Sequence, residues 1–282
     1  MKFLIFTEIT SDLSNQYARE HNVGLINVPC YINDEMVQTE NIKFYDLMRS
    51  GVLPSTSMVN TQDLINIFEP LLKKGDKILY IVFSSALSGT FDSAMKAKEI
   101  LDQKYPNQLY ILDSKSASLG QGLVVDYAVE LRDEGKTIEE VYQIILKSIY
   151  EFCHYFTVDN LFHLYRGGRV SKTKATLGTI LQLKPLLHVD EHGKLVAIDN
   201  ARGRKKSLIA LIDYMEQKCK DDLPKKVFIS HGDCIKEAEY VANLVRERFG
   251  IEDIYINHIG PVIGAHSGPN TVAIFFRSKN LR

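Results

Sequence analysis

Long apolar runs and paired cysteines are both missing from this sequence. No stretch approaches the roughly 20 apolar residues of a membrane-spanning helix, and the apolar opening Phe3–Phe6 is far too short for a signal peptide. The spacing of the 4 cysteines contains no CxxC pair, which argues against a zinc site or a disulfide framework. They are Cys30, Cys153, Cys219 and Cys234. We therefore expect a cytoplasmic protein that does not integrate into a membrane.

An excess of charge of either sign is also missing. The 34 Lys and Arg residues and the 35 Asp and Glu residues give a net charge of −1, so nothing favours nucleic acid or an anionic membrane as a partner. Cofactor fingerprints are absent as well: the sequence has no G-x-x-x-x-G-K-[ST] loop, no G-x-G-x-x-G motif and no H-E-x-x-H motif. The 8 histidines are scattered without the spacing of metal ligands. We expect neither a cofactor nor a bound metal.

Short β-rich apolar runs alternate with segments of helical period in the first half of the chain. This order is typical of a mostly parallel sheet covered by helices. The predicted strands are 2–7, 24–32, 77–83 and 108–113, and the predicted helices are 12–21, 61–74 and 88–105. Two more helices are predicted between Gly120 and Phe152, divided near Gly135, with Thr137 and Glu140 placed as a capping box.

The second half of the chain has a different order of predicted elements. Residues 185–199 hold two extended runs around "DEHGK", which predicts an antiparallel hairpin. The elements predicted after it are a helix over 203–220, a strand over 226–231, a helix over 236–249 and strands over 254–259 and 271–276. We therefore predict an α/β fold with an N-terminal, mostly parallel sheet covered by helices and a second, smaller α+β lobe. The domains are placed at 1–157 and 158–282, with the boundary between 153 and 160.

Two hydroxyl-rich segments lie just before predicted helices. "LPSTSMVN" at 53–60 is typical of a turn and a helix cap. "FSSALSGTFDSA" at 83–94 follows a predicted strand, where a helix N-terminus can receive an anion. Ser88 and Gly89 also fit a simple cap and turn, and both interpretations stay open. Because Ala86 and Thr90 stand where a hydrolase nucleophile elbow needs glycines, that motif does not match.

Two basic segments follow. "LYRGGRVS" at 164–171 is typical of a helix C-cap with solvated arginines. "ARGRKK" at 201–206 opens a predicted helix, where cations oppose the helix dipole. That mismatch favours an acidic or phosphorylated partner, although a solvated surface also tolerates such a cluster at little cost.

One histidine lies in an unusually small-residue segment. "GPVIGAHSGPNTVAI" at 260–274 surrounds His266 with glycines and prolines and leads into an apolar run that predicts a strand. The residues alone do not explain why an imidazole is placed there.

Seven segments in this order resemble the DegV family, whose members bind fatty acids and include the FakB-type fatty-acid-binding subunit of bacterial fatty-acid kinase. They are "FTEITSDLS" near the start, "LPSTS" at 53–57, "FSSALSGTFDSA" at 83–94, "LDSKSASLGQGLVV" at 112–125, "VDNLFHLYRGGRVS" at 158–171, "LQLKPLLHVDEHGKL" at 181–195 and "GPVIGAHSGPNTVAI" at 260–274. The resemblance implies a two-lobed fold that holds a fatty acid such as palmitate between or within the lobes. It also implies no catalysis by this chain, and a role in phospholipid metabolism.

The resemblance carries over to single residues. It implies that the carboxylate is held by Thr56, Ser88 and His266, although Ser55 and Ser57 cannot be ranked below Thr56 as the first hydroxyl. Further head-group or loop contacts are expected from Ser57, Gly89 and Gly268, and contacts with a partner or a phosphate from Arg169 and Arg202. Small neighbours around His266 leave room for backbone N–H groups to approach a buried carboxylate.

Three departures from the family pattern affect the loops. Glu8 and Ile9 stand where the family has Asp and Ser, Met58–Val59 replace Gln-Pro, and Ala86 replaces Gly. The three carboxylate-binding residues are retained. These departures put in doubt the local loop shape and the preference for an acyl chain.

The resemblance implies that this chain presents a long-chain fatty acid to a separate ATP-dependent kinase subunit, which forms the acyl phosphate. The absence of a nucleotide motif agrees with that division of labour. A lipid carrier without a kinase is an alternative. A less favoured one is a hydrolase that uses Ser88 and His266, which would require a hydrogen bond between them and a third group to orient the imidazole.

Overall fold

The chain alternates short strands with helices in both halves. The computed structural model describes residues 3–36, 43–171, 183–220 and 222–282. Its strands are β1 (Leu4–Glu8), β2 (Val23–Ile26), β3 (Cys30–Ile32), β4 (Glu35–Met36), β5 (Ser55–Thr56), β6 (Ile78–Val82), β7 (Leu109–Asp113), β8 (Phe152–Thr157), β9 (Leu183–Val189), β10 (Leu195–Arg202), β11 (Val227–His231), β12 (Ile254–His258) and β13 (Val272–Arg277). Its α-helices are α1 (Asn15–Glu20), α2 (Phe44–Arg49), α3 (Thr61–Leu72), α4 (Thr90–Asp102), α5 (Leu119–Asp133), α6 (Ile138–Ser148), α7 (Phe162–Arg166), α8 (Arg204–Lys218), α9 (Ile235–Phe249) and α10 (Pro261–Ser267).

The N-terminal lobe is built on a four-stranded parallel sheet in the order β2-β1-β6-β7. All five residues of β6 are buried, as expected for a parallel strand covered on both faces. Because successive side chains point to opposite faces, Tyr80 packs with α3 and α4, whereas Leu79 and Ile81 pack with α5 and α6. The predicted parallel sheet covered by helices is confirmed.

The second lobe has a six-stranded mixed sheet in the order β10-β9-β8-β13-β11-β12. The β9–β10 hairpin is antiparallel, as the sequence predicts. Residues on the outer face of this sheet pack with α8 and α9, and residues on the inner face pack with α5. β8 already belongs to this sheet, which therefore starts at Phe152; the division into domains 1–157 and 158–282 stays a prediction.

Helix α5 lies between the two sheets. It contacts β1 and β6 of the first sheet and β8, β11 and β13 of the second. Twelve of its residues are buried, which is typical of a helix surrounded by core. Its first turn approaches both lobes closely: a Cβ on Gly122 would lie 2.9 Å from the Ser11 carbonyl oxygen, and one on Gly120 would lie 2.2 Å from His154 Cδ2. None of the helices in the described ranges combines the length and apolarity that crossing a bilayer requires.

Two segments differ from the sequence expectation. The single strand expected over 24–32 is divided, because Pro29 separates β2 from β3, and β3 joins a small sheet in the order β4-β3-β5. The small-residue segment of His266 also contains the helix α10, which begins with Pro261 in its first turn and is followed by Gly268 at φ +82°. β13 then begins at Val272, where the sequence predicts a strand.

Candidate functional site

A cavity of about 320 Å³ lies between the two sheets. This volume is at the small end of the range for small-molecule sites in proteins. Polar side chains from three segments line one end of the cavity, which we call the head end: Thr56, Ser88 and His266. We call the part of the cavity next to the second sheet the deep half. It is lined mainly by apolar side chains, among them Phe83, Phe156, Val189, Leu195, Ala273 and Phe275.

Thr56 and His266 meet at the head end. β5 places Thr56 opposite Cys30 of β3, and α10 carries His266 in its last turn. The Thr56 Oγ1 and His266 Nε2 atoms are 2.7 Å apart, at hydrogen-bond distance. Burial, with the charges of Arg169 and Arg166 adding to it, lowers the pKa of His266 to about 4. The imidazole is therefore neutral near pH 7, with one donor and one acceptor nitrogen.

Ser88 lies in the loop between β6 and α4. Its Oγ is 3.1 Å from Thr90 Oγ1 and accepts a hydrogen bond of 3.3 Å from the Thr90 N–H. Gly89, the N-cap of α4, approaches the Met58 loop so closely that a Cβ would lie 2.7 Å from Met58 Sδ. The two hydroxyl-rich segments therefore pack against each other at the head end.

The paired glycines of the first basic segment have a structural role at the same place. α7 ends at Arg166, and Gly167 lies so close to His266 that a Cβ would be 2.2 Å from Nδ1. The Arg166 Nη2 donates to the Pro54 carbonyl oxygen at 2.5 Å and to the Ala265 carbonyl oxygen at 3.2 Å. Arg166 thus connects α7 to β5 and α10, which holds the site residues together.

Arg169 lines the cavity beside His266. Its Nε donates to the Leu87 carbonyl oxygen at 3.0 Å, and its Nη1 donates to the Gly167 carbonyl oxygen. The sequence pattern predicts solvated arginines in this segment, but the side chains of Arg166 and Arg169 are both half-buried. A half-buried guanidinium next to two hydroxyls and a neutral imidazole makes the head end suited to an anion.

The remaining predicted residues fall into two groups. Ser57 and Gly89 line the cavity together with Thr56. Ser55 is exposed and, like Gly268 and Arg202, is not among the cavity-lining residues. Gly268 ends α10, where its N–H donates to the Gly264 carbonyl oxygen at 2.8 Å, and Arg202 lies exposed at the end of β10.

Sequence reasoning missed a set of buried polar residues along the cavity: Glu8, Thr10, Ser118, His154 and Ser230. Glu8 accepts hydrogen bonds from Tyr80 Oη at 2.8 Å and from the Phe83 N–H at 3.1 Å. Burial raises the pKa of Glu8 to about 7. The signal for Glu8, His154 and Ser230 is a polar residue inside a strand that is mostly buried and apolar, as in "FCHYFT".

The geometry does not support serine catalysis. Ser88 pairs with Thr90, whereas His266 Nε2 pairs with Thr56. His266 Nδ1 has no hydrogen-bond partner in the described part of the chain, so nothing there orients the ring as a general base requires. No three His, Cys, Asp or Glu side chains come together as metal ligands within the described ranges.

Comparisons with known proteins agree with this architecture. Residues 2–279 match the family model described as "Uncharacterised protein, DegV family". A DegV domain-containing protein of Clostridium perfringens is 42% identical, with 98% of this chain and 97% of that protein covered.

Two solved structures share the fold over nearly the whole chain. A DegV lipid-binding protein of Thermotoga maritima has a TM-score of 0.86 at 27% identity, with 100% of each chain covered. DegV of Bacillus subtilis, described as a fatty acid binding protein, has a TM-score of 0.85 at 27% identity, with 99% of this chain and 100% of that chain covered. The chain belongs to the DegV family.

Proposed function

We propose that this chain binds a long-chain fatty acid between its two sheets and presents the carboxylate to a separate ATP-dependent kinase subunit. The observation that carries the first part is the cavity itself, which is apolar along the deep half and has anion-binding groups at the head end. The description of the Bacillus subtilis relative as a fatty acid binding protein supports the same ligand. We also propose a cytoplasmic location, where the free thiols would stay reduced.

The acyl chain supplies most of the affinity in this proposal. Burying about 14 methylene groups at ~0.8 kcal/mol each contributes on the order of 11 kcal/mol before the costs of ordering and association. Aromatic and aliphatic side chains of both lobes surround that chain. Tail burial therefore supplies most of the favourable free energy of binding in this proposal.

The head group needs specific partners, because a buried carboxylate costs several kcal/mol unless it is hydrogen-bonded and paired. Thr56 and Ser88 donate through their hydroxyls, and the neutral His266 donates from one nitrogen. Arg169 adds the positive charge that the uncharged His266 lacks. Ser57 and the backbone at Gly89 complete the surroundings of the carboxylate.

The kinase step would take place on another chain. Two features support this division of the reaction between two chains. The sequence has no phosphate-binding loop for ATP, and the hydroxyl-bearing segments of the head end suit the carboxylate of the bound fatty acid. Arg202, exposed at the end of β10, is the residue we assign to contact with that partner. Adding ATP and the kinase chain to the loaded protein should yield an acyl phosphate that hydroxylamine traps, and no product should form without this chain.

Denaturing extraction of the purified protein, followed by mass spectrometry of small lipids, tests the ligand assignment. We expect a long-chain acid at close to one per chain. Extracts without any fatty acid, together with no uptake of added palmitate by the delipidated protein, would contradict the proposal. Labelling of Ser88 by a covalent serine probe with loss of an esterase activity would support a hydrolase instead.

A further inference from the structure

A histidine in the deep half of the cavity lacks a hydrogen-bond partner among the residues that the structure describes. His154 of β8 lines the cavity and is only 2% exposed. Neither of its ring nitrogens has a hydrogen-bond partner in the described residues. The Phe152 backbone interacts weakly enough with the ring to raise the pKa of His154 slightly against the effect of burial, but no described atom reaches either nitrogen in hydrogen-bond geometry. Buried polar groups are nearly always paired, so this imidazole needs a partner from outside the described protein atoms.

Phe275 and Gly120 pack against the ring of His154, and neither has a polar side chain. Its strand pairing places it opposite Phe275, whose ring packs edge-on against the imidazole with centroids 5.5 Å apart. Gly120 of α5 lies against the ring on another side, where a Cβ would be 2.3 Å from Nε2. Burial lowers the pKa of His154, so the ring is neutral. A neutral imidazole has one N–H donor and one acceptor nitrogen to satisfy.

The position of His154 along the cavity follows from the strand register. Thr271, Ala273 and Phe275 line the cavity, and Thr271 Oγ1 donates to the Ser267 and Gly268 carbonyl oxygens at the end of α10. The four-residue step from Thr271 to Phe275 covers about 13 Å of strand. A chain of carbon atoms joined by bonds of about 1.5 Å advances roughly 1.3 Å per bond. His154 therefore lies about ten bonds from the head end.

We propose that the deep half of this cavity is a subsite for a neutral hydroxyl group on the acyl chain, near or beyond carbon 10, with His154 as its hydrogen-bond partner. A hydroxyl can either donate to the acceptor nitrogen of the neutral ring or accept from its N–H, and it carries no charge that burial would penalise. The preferred ligand class is then a mid-chain hydroxy fatty acid. This inference rests on the proposed function.

The test compares four acids that differ only in the hydroxyl: stearate and its 3-, 10- and 12-hydroxy derivatives. Each displaces the same fluorescent fatty acid from the delipidated full-length protein. We expect the 10- or 12-hydroxy acid to bind about tenfold more tightly than stearate, the worth of one well-formed hydrogen bond. The 3-hydroxy acid should show no such gain, because its hydroxyl stays at the head end.

Two variants separate hydrogen bonding from packing. His154→Leu should abolish the tenfold preference for the mid-chain hydroxyl while stearate still binds. Phe275→Leu, at the facing position of the next strand, should weaken all four acids by the same factor and keep the preference. If His154→Leu does not fold, the comparison of the four acids on the unmodified chain decides.

The outcomes distinguish this inference from the function on which it rests. Stearate binding as tightly as every hydroxy acid would overturn the hydroxyl subsite and leave fatty acid binding intact, as expected if an ordered water satisfies His154. A preference that survives in His154→Leu would also overturn it. Failure of all four acids to bind would instead contradict the proposed function.

Discussion

Single residues at the head end are positioned by partners that are remote in sequence. Thr56 and His266 are separated by 210 positions yet lie at hydrogen-bond distance. Gly167, 99 positions before His266 by residue number, leaves the space that the imidazole occupies. The head end is thus assembled from segments that are far apart in the chain, and the effect of a substitution depends on whether its side chain faces the point where they meet.

Thr56→Val tests the hydroxyl at the head end. The substitution keeps the shape of the side chain but removes the hydroxyl that pairs with His266 and that we assign to the carboxylate. We expect the affinity for palmitate to fall about tenfold or more, since a buried partner loses its hydrogen bond, with little change in melting temperature. Ser55→Ala is the matched control, because Ser55 is exposed and does not line the cavity. Equal affinity in both variants would refute the role of Thr56.

Gly167→Ala tests the space beside His266. The added Cβ would lie 2.2 Å from Nδ1, so the ring must move away from Thr56. We expect weaker palmitate binding measured by displacement of a fluorescent acid. At the adjacent Gly168, alanine meets nothing within 4 Å but sits at φ +76°. Gly168→Ala should therefore lose some stability without losing affinity, and the reverse pattern would contradict the assigned geometry.

At the scale of helices and strands, regular periodicity made much of the fold predictable. The capping box is confirmed: the Glu140 N–H donates to Thr137 Oγ1 at 3.3 Å, and the Thr137 N–H donates to Glu140 Oε2 at 2.8 Å. Such signals are local, so one sequence carries them fully. The break at Pro29 and the short helix α10, which has Pro261 at its start and Gly268 after its end, also have local signals, but elements this short lack the periodicity on which the sequence predictions depend.

The candidate site shows the same division. The hydroxyl-rich loop after β6 left an anion site and a simple helix cap at Ser88 both open, while the individual roles of Thr56, Ser88 and His266 came from family resemblance. The proximity of Gly167 to His266 and the exposure of Ser55 required the structure. His154 was missed because a polar residue in a buried strand gives no sign of whether a partner faces it.

Gly120→Ala tests the role of α5 in forming the deep half. A Cβ there would lie 2.2 Å from His154 Cδ2 and 2.8 Å from Phe275 Cδ1, so both rings must shift. We expect a loss of about 1–3 kcal/mol in the free energy of unfolding, as is usual for overpacking, together with weaker palmitate binding. Urea denaturation and ligand displacement measure the two effects.

Gly135→Ala, just beyond the C-terminal end of α5, is the control. Its Cβ meets nothing within 4 Å, so the cost comes only from the backbone at φ +89°. Palmitate affinity should stay unchanged. Equal affinity in the Gly120 and Gly135 variants would show that α5 does not shape the cavity.

Across the whole molecule, buried histidines and buried carboxyl groups have opposite effects on how the free energy of unfolding depends on pH. Burial lowers the pKa of His266 and that of His231 to about 4. The unfolded chain therefore binds more protons than the folded one between about pH 4 and 6.5, and stability falls as the solution is acidified through that range. Burial raises the pKa of Glu8 to about 7 and that of Asp12 to about 8. The folded chain keeps these protons longer, so these two groups lower stability as pH rises above about 4.5.

Glu8→Gln isolates one of these contributions. The glutamine still accepts a hydrogen bond from Tyr80 or the Phe83 N–H but does not ionise. The difference in unfolding free energy between the variant and the unmodified protein should therefore shift in favour of the variant by up to about 3 kcal/mol as pH rises from 5 to 8. Melting curves across this range measure it. A difference that stays constant with pH would mean that folding does not change the pKa of Glu8.

A crystal structure of the chain with bound palmitate tests the central claim most directly. The account predicts continuous density between the two sheets, with the carboxylate within hydrogen-bond distance of Thr56, Ser88 or His266 and the tail running toward Phe275. Density for the acid outside this cavity, or inside it with the carboxylate pointing into the deep half, would contradict the account.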